Sequence, residues 1–415
     1  MSKIRTGLIA ALDVGSTKLC CFIARADASS GIRVIGIGHQ MAKGVRSGAI
    51  VDMDAAEISI RNAVHAAEQM AGETIEQLIV NVSCGNPSSR TVGVEVSIDG
   101  YEVGDDDVGR VLSQGYEDAA ATDRELLHMI PVGFSLDGAR VSDPRGMYGD
   151  HLGASMHVIT AGASAVRNLT TCIERCHLEI ETRVSSPYAS ALATLVDDEM
   201  ELGATLLDMG GGVTSIAVFF GGEVVYTDTI PVGGSHVTND IARGLSTPVV
   251  GAERIKTLYG SAMPSPSDNR DFIDVPQIGH ETPNQGQANH VPKSILVGII
   301  QPRLEETFEL VRARLEASGF DRVAGRRLVM TGGASQLPGA ADLGALVLDK
   351  QVRLGRPVRV AGIAEATGGP AFATCAGLLT YAVHMPGLLA QQIVPPMRNG
   401  AGMVGRIGSW LRENF

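Results

Sequence analysis

Three short turns carry the residue types that hold phosphate and a divalent cation. Asp13-Val14-Gly15-Ser16-Thr17-Lys18 joins two apolar runs, and so does Asp208-Met209-Gly210-Gly211-Gly212-Val213-Thr214. Thr331-Gly332-Gly333-Ala334 follows a third apolar run. Glycine lets backbone N–H groups approach phosphate oxygens with no Cβ in the way. Ser16, Thr17 and Thr214 add hydroxyl donors, and Lys18 adds a cation. Asp13 and Asp208 suit the hydration shell of Mg²⁺, which keeps its waters and takes few direct carboxylates. A side chain at Gly211 or Gly333 would then collide with the ligand. A single glycine turn is only a turn. Three in this order point to a triphosphate gripped between two hairpins, with the third turn against base and sugar.

The elements around the turns repeat. Residues 7–14, 19–24 and 32–38 read as strands, 54–71 as an amphipathic helix capped by Asp54, and 77–83 as a buried strand. Residues 205–209, 214–220 and 223–230 restart the pattern, and Asp208 matches Asp13 at the offset that matches Gly210 to Gly15. The chain therefore contains an internal duplication. Its fold class is α/β, with two facing halves and a cleft between them.

Two stretches interrupt the duplication. Residues 86–163 carry strand-like segments at 91–98 and 156–161, and a helix opening at Asp105-Asp106-Asp107, where carboxylates favour a helix N-terminus. Residues 260–292 are rich in Pro, Asn, Gly and Ser and read as a loop-rich insert before a helix at 304–315. The expected division is 1–85 with 164–203, an insert at 86–163, 204–250 with 327–384, and a second insert at 251–326. A linker at 385–401 and a tail at 402–415 complete it.

Composition narrows the function. A net charge of −12 disfavours nucleic acid as a partner. Six cysteines, two of them adjacent, suit a reducing cytoplasm better than a disulfide framework. Cys172, Cys176 and His177 lack a second cluster to complete a metal site and read as buried thiols. No run approaches the ~18 apolar residues that span a bilayer. The tail differs. At 100° per residue, Met403, Val404, Ile407, Trp410, Leu411 and Phe415 fall within roughly 140°, opposite Arg406, Ser409, Arg412 and Glu413. That pattern describes a helix lying in a membrane interface, the alternative being one docked on the protein's own core.

The three turns, in order and spacing, resemble the actin, Hsp70 and sugar-kinase superfamily over nearly the whole chain. Gly233-Gly234 with Thr238-Asn239-Asp240-Ile241-Ala242 is similar to that superfamily's helix entry after the second sheet. Glu253 and Lys256 match the pair that contacts ribose and adenine in its actin and Hsp70 branches, and otherwise form a surface i,i+3 ion pair. The gap between Gln40 and Asp54 is too short for actin's own insert, and the insert at 86–163 resembles the FtsA family of cell-division proteins. Leu127-His128-Met129-Ile130-Pro131, His157-Val158-Ile159-Thr160, Ile173-Glu174-Arg175-Cys176 and Gly408-Ser409-Trp410-Leu411-Arg412 agree.

The resemblance implies ATP and Mg²⁺ in the cleft, head-to-tail filaments, and the tail as a membrane-targeting sequence. It places the chain peripherally on the cytoplasmic face of the inner membrane at the division site. It also implies that the 86–163 insert (subdomain 1C) recruits later division proteins. The C-terminal peptide of FtsZ would dock on the 251–326 insert (subdomain 2B), where Lys293 and Arg303 match the family's basic positions. Hydrolytic relatives carry a glutamate before the proline of the connecting helix, whereas this chain reads Ser185-Ser186-Pro187. A hydroxyl is no general base at neutral pH, so slow or absent hydrolysis is expected. A pilus-assembly scaffold, or an ATPase or kinase of the same fold, are the alternatives.

Overall fold

The computed structural model describes residues 5–27, 31–119, 123–278 and 289–389, with side chains to residue 384. The tail read at 402–415 and the linker from residue 390 lie outside the described residues. Among the described residues no helix is long and apolar enough to cross a membrane.

The fold is mixed α/β and actin-like, built on two sheets of one topology. In the first, strands Gly7–Val14, Lys18–Asp27 and Gly31–Met41 form an antiparallel meander. Gln77–Val82 then pairs parallel to the first strand, and Glu179–Ser185 parallel to Gln77–Val82. The second sheet repeats the plan with Ala204–Met209, Thr214–Phe220, Glu223–Ile230, Arg327–Thr331 and Gln351–Leu354. Asp13 and Asp208 thus occupy equivalent places near the ends of equivalent strands. A short strand, Val360–Ala361, extends the first sheet from the far half.

Helix Met53–Ala71 buries Ala56, Ile60, Ala63, Val64 and Ala67 on one face, while Met70 is exposed. Its cap is Asp52, not Asp54. Asp52 has extended backbone and its carboxylate accepts from Ala55 N, an arrangement worth ~1 kcal/mol. Asp54 lies in the first turn and pairs with Arg175 at 2.7 Å.

The first insert forms its own sheet, ordered Ser88–Ser97, His151–Gly162, Arg124–Leu136, Ala139–Val141. Helix Asp105–Ala119 covers it around a separate core of Val94, Val111, Leu152 and Met156. The insert also touches the second half, where Ser89 Oγ accepts from Thr227 N at 2.7 Å and donates to Thr227 O at 2.9 Å.

The second insert is more regular than its composition suggests. Phe272–Val275 and Asn289–Pro292 pair as a hairpin, and one helix runs from Lys293 to Ser318 through Pro302. Proline costs a helix interior ~3 kcal/mol, and here a continuous buried face from Leu296 and Ile300 through Phe308 to Leu315 outweighs it.

The chain passes between the sheets twice. Helix Ser186–Thr194 crosses to the second half, and helix Ala373–Leu389 returns, running five residues into the stretch read as a linker. The two pack closely enough that a Cβ on Gly377 would sit 1.8 Å from the Ala189 carbonyl oxygen. The core at this crossing includes Phe22, Tyr188, Phe219 and Tyr381.

Candidate functional site

The two hairpin turns are built alike. Gly15 N donates to Lys18 O at 3.1 Å, and Gly210 N donates to Val213 O at 2.9 Å. They lie against each other across the cleft. A Cβ on Gly211 would fall 2.4 Å from Thr17 Cγ2, and one on Gly212 would fall 2.4 Å from Ser16 Oγ. The obstacle at Gly211 is therefore the opposite turn of the protein itself. The amides of Gly234 and Ser235 bind the carbonyls of Gly210 and Gly211 at 3.0 and 2.8 Å. The start of helix Gly234–Gly244 thus takes up the turn's acceptors.

Behind the turns lies a cavity of about 220 Å³. Its lining includes Asp13, Gly15, Ser16, Thr17, Lys18, Asp208, Gly210, Gly211, Gly212, Gly332 and Gly333, as the sequence motifs suggest. Lys18 Nζ also donates to the Ala371 carbonyl and sits 3.3 Å from the Phe372 ring centroid, a cation–π contact. Thr214 differs from its expected role: it is fully buried, and its hydroxyl donates to Val232 O at 2.8 Å. The neighbouring Ser215 lines the cavity instead. At Gly333 a Cβ would meet only the Ala371 methyl, at 3.9 Å, among protein atoms, and the space beside it is the cavity. Gly332 has no such room. Its φ is +84°, and a Cβ would stand 2.4 Å from Asp208 Oδ1.

Two buried carboxylates face this cavity from opposite halves. Asp13 Oδ1 accepts from Asn81 Nδ2 at 2.8 Å, and Asn81 Oδ1 accepts from Val14 N at 2.7 Å. Asp208 Oδ2 accepts from Ser190 Oγ at 2.6 Å and Thr374 Oγ1 at 3.2 Å. Burial, opposed by the Lys18 charge and reinforced by Asp208, pushes the Asp13 carboxyl up to about 7. Burial also raises Asp208, while its two hydroxyl donors and Lys18 hold it down.

The raised Asp13 has a testable consequence. Its folded pKa lies above the unfolded value of ~3.9, so the folded state holds the proton more tightly and stability falls as pH rises from about 4 to 7. Urea unfolding of the ligand-free chain at pH 5 and pH 8 should show that loss, reduced in Asp13→Asn. Glu223, also pushed up to about 7 by burial, contributes its own part. An unchanged pH slope in Asp13→Asn would remove Asp13 from this account.

Glu253 and Lys256 belong to a network rather than an isolated surface pair. Lys256 Nζ lies 2.7 Å from Glu253 Oε2, 2.8 Å from Thr238 Oγ1 and 3.2 Å from Gly234 O, and Thr238 Oγ1 donates to Glu253. A Cβ on Gly234 would lie 3.1 Å from that of Ala334 and 3.7 Å from Lys256 Nζ, which sets the network beside the third turn. Lys293 and Arg303 are less available than their charge suggests. Lys293 pairs with the buried Asp268 at 3.2 Å, and Arg303 pairs with Asp240 and Glu306. Cys172 is buried and Cys176 partly so, and their thiols donate to the Met53 and Glu57 carbonyls.

The motifs miss Asn81, Ser83, Ala371 and Thr374, all in the cavity lining. Asn81 left a signal: it is a polar residue inside the run Leu78-Ile79-Val80-Asn81-Val82. Thr374 left none, because it reaches Asp208 from 166 residues away.

Two family profiles match the chain: "Cell division protein FtsA" over residues 205–377 and "SHS2 domain inserted in FTSA" over residues 85–160. The chain is 45% identical to the cell division protein FtsA of Rhizobium meliloti (strain 1021), covering 99% of this chain and 96% of the relative. It is 34% identical to FtsA of Pseudomonas aeruginosa, covering all of both chains. Against FtsA of Escherichia coli (strain K12) the identity is 29%, over 98% of each. Among solved structures it resembles a chain of the PilM–PilN type IV pilus biogenesis complex, with TM-score 0.64 and 16% identity over 91% of this chain and 99% of that one. It also resembles MreB5 of Spiroplasma citri bound to ADP, with TM-score 0.56 and 12% identity over 92% and 98%. At these identities the structures speak to the fold alone.

Proposed function

Because the chain belongs to the FtsA family of cell division proteins, we propose that it binds ATP with Mg²⁺ in its cleft and polymerises on the cytoplasmic face of the inner membrane at the division site. There it tethers the FtsZ ring through subdomain 2B and recruits later division proteins through subdomain 1C. One observation carries the nucleotide reading. Buried carboxylates from equivalent strands of the two halves face one cavity edged by three glycine turns. Neither has a full counter-charge, and both are raised by burial. That donor set fits a hydrated divalent cation bridging to phosphate.

Asp13 and Asp208 would hold the waters of Mg²⁺, which when bound neutralises charge on the phosphates. The amides and hydroxyls of Ser16 and Thr17 and the amides of Gly211 and Gly212 would bind phosphate oxygens, while the Gly15 and Gly210 amides close their own turns. Lys18 would add its charge there. Glu253, Lys256 and Thr238, beside Ala334, form a polar wall for ribose and base. The cavity of about 220 Å³ is smaller than the ~300–1,000 Å³ typical of small-molecule sites. Ser186 lines the cavity where a general base would stand, and its hydroxyl takes no proton at neutral pH. Turnover should stay below the ~1–10³ s⁻¹ of ordinary enzymes. Rapid phosphate release from lipid-bound protein would overturn the role given to Ser186.

For the FtsZ peptide, the internal pairing of Lys293 and Arg303 shifts weight to apolar anchors. A second cavity, of about 450 Å³, lies beside the Lys293 helix, where Leu245, Ile278, Val291 and Ile295 share the lining with the polar Ser246, Gln277 and Asn289. The alternative of a pilus scaffold rests on likeness of fold alone. The deciding experiment is co-sedimentation with anionic vesicles and an FtsZ C-terminal peptide, with and without ATP and Mg²⁺. Nucleotide-dependent polymer that retains the peptide on lipid is expected. Lipid binding without peptide retention or any nucleotide effect would overturn the tethering role.

A further inference from the structure

The two cleft carboxylates are tied to a single helix. Ser186 Oγ accepts from Asn81 Nδ2 at 3.1 Å, and the same amide group donates to Asp13 Oδ1 at 2.8 Å. One turn later, Ser190 Oγ donates to Asp208 Oδ2 at 2.6 Å. Thr374 on the returning helix also donates to Asp208, and its hydroxyl lies 2.9 Å from that of Ser190. Asn81, Ser186, Ser190 and Thr374 are 3%, 5%, 0% and 9% exposed, so water does not compete strongly for these bonds. Positions i and i+4 share a helix face. Asp13 belongs to the first sheet and Asp208 to the second. Helix Ser186–Thr194 therefore contacts the two halves through hydroxyls one turn apart, each on the route to one carboxylate.

We propose that Ser186 and Ser190 are positioning residues that set the two carboxylates in register across the cleft, so that cation binding and the setting of the joining helix are one event. The proposal rests on the reading of the cleft as a Mg²⁺–nucleotide site. Opening the cleft moves Asp208 relative to Asp13, and a helix hydrogen-bonded on both sides must then release one link. A cation that needs the two carboxylates at one spacing favours the arrangement in which both links are made. Its differential affinity for that arrangement drives closure. Removing the Ser190 hydroxyl, which is fully buried and outside the cavity lining, uncouples Asp208 from the helix without removing a group that faces the ligand.

The test is a titration with a fluorescent ATP analogue in Mg²⁺ and in EDTA, on the full chain, the Ser190→Ala variant and two Thr374 variants. Ser190→Ala should lose about tenfold of the affinity gained from Mg²⁺ and change affinity in EDTA by less than ~2-fold, since a hydrogen bond to a charged group is involved. Thr374→Val, which keeps the volume and loses the hydroxyl, should likewise lose part of the affinity gained from Mg²⁺. Thr374→Ser should retain the parent's Mg²⁺ gain. Hydrogen exchange across residues 186–194 should show protection by nucleotide and Mg²⁺ in the parent chain, weakened in Ser190→Ala. Equal losses in Mg²⁺ and EDTA would reduce Ser190 to a structural role and overturn the proposal. An unchanged Mg²⁺ gain in Ser190→Ala would overturn it too. If the parent chain bound no nucleotide, the reading of the cleft would fall first, and the two failures are thereby told apart.

Discussion

In a titration with an ATP analogue and Mg²⁺, Gly332→Ala is expected to bind nothing under conditions where the parent chain saturates. At φ +84° and ψ 165° the backbone of Gly332 lies in a region almost closed to other residues, a strain of about 1–3 kcal/mol. The added methyl would also stand 2.4 Å from Asp208 Oδ1 and 2.5 Å from the Met209 carbonyl. Asp208 cannot easily yield, because Ser190 and Thr374 hold its other oxygen. Relief therefore comes from displacing a carboxylate that the cation needs or from opening the second hairpin turn. Gly298→Ala is the control, because it lies on the exposed side of helix Lys293–Ser318 with nothing within 4 Å of an added Cβ, and nucleotide affinity should stay near the parent's. Far-UV circular dichroism separates lost binding from lost fold. A folded Gly332→Ala chain of parental affinity would contradict the site as drawn.

Trp410→Glu is expected to move the protein from membrane to cytoplasm. Residues 403–415 lie outside the described residues, and their sequence alone supplies the expectation. Full burial of one large apolar side chain contributes about 1.5–3 kcal/mol, and an interface captures only part of that for Met403, Val404, Ile407, Trp410, Leu411 and Phe415. A single short tail would also bear the cost of forming its helix, so a monomer should bind weakly and reversibly. Polymerisation, as proposed above, would present many tails to one surface and raise avidity. Trp410 falls within the apolar arc, and a carboxylate there opposes both burial and anionic lipid. Arg406→Ala should remove ~1 kcal/mol, and only on anionic vesicles. Flotation of the Trp410→Glu variant with vesicles at the parental level would mean that the anchor lies elsewhere.

Much of the fold was legible because its determinants are local. The glycine turns, the antiparallel strands they join and the constant offset between Asp13 and Asp208 all lie within short segments, and the duplication could be read from them. The separate first insert was legible for the same reason: its helix opens on Asp105-Asp106-Asp107, and Arg110 pairs with Asp107 one turn on. The cap of helix Met53–Ala71 was misplaced by two residues, since Asp52 and Asp54 both suit a helix start. Only the backbone angles choose between them.

By itself the sequence determined the class of fold, the two aspartates and the glycine turns, because hydrophobic periodicity and turn chemistry act over a few residues. Tertiary structure alone decided how those pieces are held. Thr214 faces Val232 instead of the cavity. Lys293 and Arg303 are engaged by Asp268 and Asp240, residues from other segments. Asn81 and Ser186 meet across 105 residues, and Thr374 reaches Asp208 across 166. A hydroxyl or an amide has no preferred partner until burial removes water as the competitor, and which group then lies within 3 Å depends on how distant segments pack.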